Sequence, residues 1–426
     1  MVSTYYLIVT PDPIKRQRIK DCIEINPSRG LSESFGQIII PHSKKPLYLK
    51  TFLYGCKNDL SISYDHVLAY FRDQNEEYPL IGISNKQVVV NFDFFEWEKR
   101  LLHEDYANMR RPLYTRFPFP YYSIPVSLRN IGLRMLSLLG GTRGKEHFEF
   151  PAFPIEQALD RVRSLIWESA AGIAGVELNL SPYPDSGKGC VVLTHDIETS
   201  EGLRNIELIR RVERHFAYPS SWSVISKRYK TEDQLLKLLI DEGCEIISHG
   251  CFHDGVKPYL SEAEILKRLE HLFLFKPWLK GLVNGYRSGQ LLVSNALFRC
   301  LSKRFKYDLS IPDTERVGPY GPRGCCSIYP FYHREGILEI PLTVPQDYYH
   351  LHIYRYTAEE ILRLWKEKID YIEANNGIAV LLLHPETYLS GNEKMLDIYN
   401  RLLEIIAGKD LWVATPAMVY NYLENL

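Results

Sequence analysis

The chain has 426 residues, enough for one large domain and a smaller companion. Apolar residues make up 45% and charged residues 24%, the balance of a folded globular protein rather than a disordered or fibrous one. The 51 Lys and Arg against 52 Asp and Glu leave a net charge of -1, so no overall field recruits nucleic acid or an anionic membrane; binding must come from a local site.

The opening Met-Val-Ser-Thr-Tyr-Tyr-Leu-Ile-Val-Thr lacks the basic, apolar and small-residue regions of a signal peptide and reads as a first β-strand. No apolar run approaches the roughly 20 residues that span a bilayer. The eight cysteines are scattered, and the adjacent Cys325 and Cys326 lack the C-x-x-C spacing of a zinc knuckle. A reduced, cytoplasmic protein without a membrane span is predicted. Residues 1–110 carry short strand and helix patterns, such as 37–40 and 87–91, and are read as a small α/β domain. Residues 111–189 form a connector. It opens on a proline- and aromatic-rich run through Phe117-Pro118-Phe119-Pro120-Tyr121-Tyr122, which can sustain neither a helix nor a central strand.

From residue 190 to 426 the pattern is regular. Strand-like runs fall at 190–194, 221–225, 244–248, 282–286, 306–310, 378–383 and 411–414. Helix-period segments lie between most of them, with capping-box signals at Thr231 and Gln234, Ser261 and Glu264, and Thr357 and Glu360. Repeated β-then-α units imply parallel strands. The fold class predicted is α/β: a distorted (β/α) barrel of seven or eight strands in the TIM style, with an open doubly wound sheet as the alternative.

Titratable residues gather at the ends of these runs. His195, Asp196 and Glu198 follow the first; His249 follows the third; Arg287, Asp308 and His384 close later ones. In a parallel barrel such strand ends share one rim, where that fold places its chemistry. Taken singly, each has a plain structural reading. A lone histidine at a strand end is more often a hydrogen-bonded packing residue, Arg287 could be an ordinary salt bridge, and two acids in one loop could simply be solvated. His249 and His253, four apart, suit a metal ion, but Gly250 stands where H-E-x-x-H would have its base.

In order, these segments resemble the five short motifs of the polysaccharide deacetylases, the NodB-homology or family 4 carbohydrate esterases. The likeness runs from about residue 190 to the end. Thr194-His195-Asp196-Ile197-Glu198 resembles the first motif in its D-x-D form, and His249 with His253 the second. Tyr286-Arg287-Ser288-Gly289 resembles the third, Tyr307-Asp308-Leu309-Ser310 the fourth, and Leu381-Leu382-Leu383-His384 the fifth. The resemblance implies a divergent, metal-dependent hydrolase that removes an acetyl group from a sugar or glycan precursor.

It further implies that Glu198, His249 and His253 hold a divalent ion, zinc foremost and cobalt, nickel or iron(II) as alternatives. Asp196 would be the general base, kept ionised by Arg287. His384 would protonate the leaving group, with Asp308 as its partner, and Gln290 would supply an oxyanion donor. The chain departs from the family at Ile197, where the common form has the metal carboxylate, at Gly250, and at Ser288-Gly289, where a proline–aromatic pair is usual. These departures keep two alternatives open: a non-catalytic carbohydrate-binding protein on a degenerate barrel, and a metal-independent amidohydrolase on the same fold. His195 is a further candidate ligand or substrate contact. Tyr320, Tyr329, Phe331 and Tyr332 are candidate sugar-stacking residues, although packing at the barrel mouth explains each as well. The expected partner is an acetylated sugar, nucleotide sugar or glycan precursor, with no nucleic acid.

Overall fold

A computed structural model describes residues 4–27, 33–41, 46–56, 62–73, 76–107, 111–116, 123–125, 128, 131–132, 135, 150–316 and 322–426. Most of the proline- and aromatic-rich run, and Tyr320, lie outside the described residues.

The opening segment is a helix, Thr4–Val9, not the predicted strand. Tyr5, Tyr6, Ile8 and Val9 are all buried. Tyr5 meets Tyr329 edge-on and Tyr6 packs on Trp167, so docking overrides the β-propensity of the segment. Six strands follow: β1 (Ile23–Ile25), β2 (Glu33–Ile40), β3 (Leu47–Tyr54), β4 (His66–Arg72), β5 (Glu77–Ser84) and β6 (Gln87–Val90). They form one sheet in the order β1-β6-β5-β4-β2-β3. All its pairings are antiparallel except β1 with β6. β2 and β3 form a hairpin at one edge, β4 returns to pair with β2, and β5 and β6 follow in order, where alternating helices had been expected. Asn85 and Lys86, both at positive φ, make the tight turn that joins β5 to β6.

The second sheet carries the strand-end residues. Its members are β7 (Gly189–Asp196), β8 (Ser221–Val224), β9 (Glu245–Ser248), β10 (Gly285–Tyr286), β11 (Tyr307–Asp308), β14 (Phe331–Tyr332), β15 (Leu338–Glu339), β16 (Ile378–Leu383) and β17 (Leu411–Ala414). The two short strands β12 (Glu315–Arg316) and β13 (Pro322–Arg323) pair only with each other. Every residue of β7 and of β16 is buried, as expected for parallel strands covered on both faces. The sheet runs β14-β15-β11-β10-β9-β8-β7-β16 and is parallel throughout except at β14, while β17 pairs with the first half of β7. Between Glu339 and β16 the chain makes backbone links rather than a described strand: Val344 N–H donates to Val380 O at 3.0 Å.

Of the three predicted capping boxes, only Thr357 with Glu360 is complete. Ser261 caps its helix by accepting from Glu264 N–H. Thr231 lies outside its helix, which begins at Asp233 with Glu232 at the N-cap. No helix among the described residues is long and apolar enough to cross a membrane.

Candidate active site

The register of the parallel strands explains the gathering at one rim. Asp196 pairs with Ser223, Val224 with Ser248, Ser248 with Tyr286, and Tyr286 with Asp308. Leu383 pairs with His195. The residues just beyond these levels, His249, Arg287 and His384, consequently leave the sheet at the same end as Asp196. Alternation along β7 then sorts its side chains. Thr194 and Asp196 face Arg287. His195 faces the other way, onto Trp222 and Glu213 Oε1 at 2.6 Å, so it is a packing residue and not part of the site.

Arg287 is fully buried and makes the central bonds. Its Nε donates to Leu309 O at 3.1 Å, and one terminal nitrogen donates to Thr194 Oγ1 at 2.8 Å and Asp196 Oδ1 at 3.2 Å. Asp196 Oδ2 lies 3.6 Å from His249 Nε2. Burial opposes ionisation of Asp196, but His249 and Arg287 outweigh it and hold the carboxyl far below the usual carboxylate range. Of these two, Arg287 carries the permanent charge, because burial pushes His249 towards its neutral form.

His249 Nδ1 is 3.0 Å from Arg287 O. A carbonyl only accepts, so the ring proton sits on Nδ1 and Nε2 keeps a free lone pair. That Nε2 is buried without a hydrogen-bond partner. The His253 ring lies 5.1 Å away by centroids, with Nε2 3.0 Å from Glu198 Oε1. Burial pushes His253 down to about 3, so its ring is neutral near pH 7. Gly250 sits between the two histidines at φ 79°, and a Cβ there would lie 2.0 Å from Lys257 Nζ. That left-handed backbone conformation is what favours glycine at 250, and the buried lysine fills the space left by the missing side chain.

His384 closes the cluster, with Nε2 3.8 Å from Glu198 Oε1. Its partner is not the predicted Asp308. Asp347 accepts from the His384 ring Nδ1 at 2.6 Å, from the His384 backbone N–H at 2.9 Å and from Ser390 Oγ at 2.6 Å. Burial opposes the charge on His384, yet Asp347 prevails and the imidazole is pushed up to about 10. Asp308 instead accepts from Ser310 N–H and Ser310 Oγ at 3.1 and 2.9 Å, and Ser310 Oγ accepts from Ser288 N–H at 2.8 Å. It braces the turn after Arg287. Burial pushes it up to about 6, and burial beside Asp308 raises Glu339 as well.

Asp347 was missed because Pro341 and Pro345 break the strand pattern ahead of it; the apolar run Ile340-Pro-Leu-Thr-Val344 ending on Gln346-Asp347 was the available signal. Of the substrate candidates, Gln290 sits at φ 60° with its Oε1 accepting from Tyr114. Tyr329 is a core residue, 2% exposed, donating to Asn375 O and packed on Tyr5, so it cannot stack on a sugar. Phe331 is buried too, and Tyr332 bonds Glu424 on the outer surface.

No family model matches the sequence, and no curated protein matches it. Among solved structures, the chain is similar to PuuE allantoinase, at 14% identity and TM-score 0.49 over 57% of this chain and 92% of that one. A protein assigned as a polysaccharide deacetylase from Pseudomonas aeruginosa PAO1 matches at 13% identity and TM-score 0.48, over 60% of this chain and 97% of that one. A further protein assigned to the same class, from Mycobacterium smegmatis, matches at 17% identity and TM-score 0.47, over 57% and 92%. The chain resembles the polysaccharide deacetylases. Likenesses at these identities and TM-scores establish no membership, and function is therefore read from the side chains.

A deacetylase-like metal centre asks for Glu198, His249 and His253. Among the described residues no three His, Cys, Asp or Glu side chains converge into a cage that could hold an ion as they stand. The donor chemistry nonetheless fits. His249 offers an unpartnered, unprotonated Nε2, and His253 Nε2 lies beside a carboxylate of lowered proton affinity.

Proposed function

We propose that this chain is a hydrolase that removes an acetyl group from an N- or O-acetylated sugar or glycan precursor, releasing acetate. The observation that carries this reading is a buried base and a buried acid on either side of two neutral imidazoles. Asp196 is ionised against Arg287, and His384 is cationic against Asp347. Asp196 accepts the proton of the attacking water. His384 donates its proton to the departing nitrogen or oxygen and is recharged from the proton Asp196 took, so the cycle balances. With an ion bound, zinc foremost, its charge would polarise the acetyl carbonyl and acidify the water. Gln290 remains a proposed oxyanion donor through its backbone N–H. The sheet is proposed to close as a distorted seven- or eight-stranded, TIM-like barrel through the 342–344 segment, with residues 190–426 as the catalytic unit and 1–110 as a separate small domain.

The test is acetate release from a panel of N-acetyl sugars and nucleotide sugars, with zinc content measured in parallel. Wild type is expected to bind about one zinc per chain and His249→Ala none. A His249→Ala variant with full zinc would sink the ligand assignment. A second reading, a metal-independent amidohydrolase, draws on the Glu198–His253 pair at 3.0 Å, made without an ion. Turnover that survives complete removal of metal by a chelator would favour it. Absence of turnover on every sugar, with sugar binding retained, would favour the non-catalytic reading.

A further inference from the structure

The rim of the site is clamped by a residue outside all five motifs. Glu386 lies two residues after His384 and is fully buried. Its Oε1 accepts three hydrogen bonds: Glu198 N–H at 3.0 Å, Thr199 N–H at 2.8 Å and Thr199 Oγ1 at 2.9 Å. The same segments meet again next door, where Asn205 Nδ2 donates to Pro385 O at 2.9 Å and to Thr387 Oγ1 at 3.1 Å. A Cβ at Gly202 would lie 2.3 Å from Glu386 Oε1, so the helix Ser200–Arg204 approaches the carboxylate as closely as it does only because residue 202 is glycine. Burying a carboxylate is costly, and here its bonds hold the backbone of Glu198 and, through two donors, the Thr199 that follows it.

We infer that Glu386 is a positioning residue that fixes Glu198 relative to His384, and so sets whether Glu198 reaches the ion shared with His249 and His253. The inference rests on the proposed metal centre. The consequence for the divergent first motif is direct. Glu is a methylene longer than the aspartate of the D-x-D pattern, and Glu386 fixes the backbone position from which the longer arm starts.

The test is zinc titration by calorimetry, with inorganic zinc as the only probe, alongside hydrogen exchange at the Glu198 and Thr199 amides. Glu386→Ala is expected to weaken zinc binding about 10–100-fold, as loss of a group that holds a ligand does, and to speed exchange at both amides at least tenfold. Glu386→Gln keeps the carbonyl oxygen and is expected to stay within about threefold of wild type on both measures. Glu386→Asp keeps the charge but withdraws the oxygens by one methylene, and is expected to behave like Glu386→Ala; it serves if the alanine variant does not fold. A merely structural role would lower stability in all three and leave zinc affinity alone. Zinc affinity unchanged in Glu386→Ala or Glu386→Asp, with wild type binding normally, overturns this inference and leaves the proposed function standing. Wild type that binds no zinc overturns both.

Discussion

Two buried carboxylates, Asp196 and Asp347, sit opposite different cations and so take different work. Asp196 faces an arginine that cannot surrender its proton, which keeps the carboxylate a base. Asp347 faces an imidazole that can, which keeps His384 an acid. Asp196→Asn is expected to fold and keep its zinc but to lose about 10²–10⁴-fold in acetate release; unchanged turnover would refute its role. For His384 the folded value of about 10 lies above the ordinary 6.5. Stability from the pair is therefore fully present below about pH 6.5 and is lost as pH rises through about 10. Asp347→Asn is expected to flatten that dependence and to move the basic limb of the rate profile to lower pH, while Asp308→Asn leaves the limb in place. A ring titration of His384 by NMR that is the same in Asp347→Asn and wild type would contradict the assignment. Asp196, His249, Arg287 and His384 stood out as residues because each lies at the end of a strand-like run, and His253 through its four-residue spacing from His249. Asp347 and Glu386 were not, because one follows a proline-broken run and the other's partners are backbone groups 187 and 188 residues away.

At the scale of elements, long buried strands were the most legible. β16 and β17 have the bounds expected from their apolar runs. β10 and β11 shrink to two residues each, β10 losing the start of its run and β11 both ends. The opening helix was illegible in sequence: six residues rich in Tyr, Ile and Val favour a strand locally, and only Trp167 and Tyr329, far along the chain, make a helix the better fit. The complete capping box at Thr357 offers a clean test of local reading. Thr357→Ala is expected to cost about 1 kcal/mol in urea unfolding with acetate release unchanged; no loss of stability would mean the box is redundant with helix packing.

At the scale of the molecule, the two sheets are joined by buried ion pairs. Arg163 donates to Glu98 at 2.6 Å, to Asp160 at 3.2 Å and to Ser327 at 3.0 Å, tying the helices Phe94–Leu102 and Ala158–Ala174 to the segment ahead of β14. Arg323 grips Glu104 through two bonds of 2.8 and 2.6 Å. Arg163→Met would strand two buried acids and is expected to cost about 3–5 kcal/mol, read as a lower urea midpoint; a shift under 1 kcal/mol would mean the joint carries little. None of this linkage is visible in sequence, since the partners lie up to 219 residues apart. The central claim, that this framework presents a working base and acid to an acetylated sugar, is tested most directly by acetate release from zinc-loaded wild type and Asp196→Asn on the same panel of N-acetyl sugars. Wild type is expected to release acetate and the variant to lose at least about a hundredfold; equal release by the two proteins, or none by wild type on any sugar, would contradict these roles.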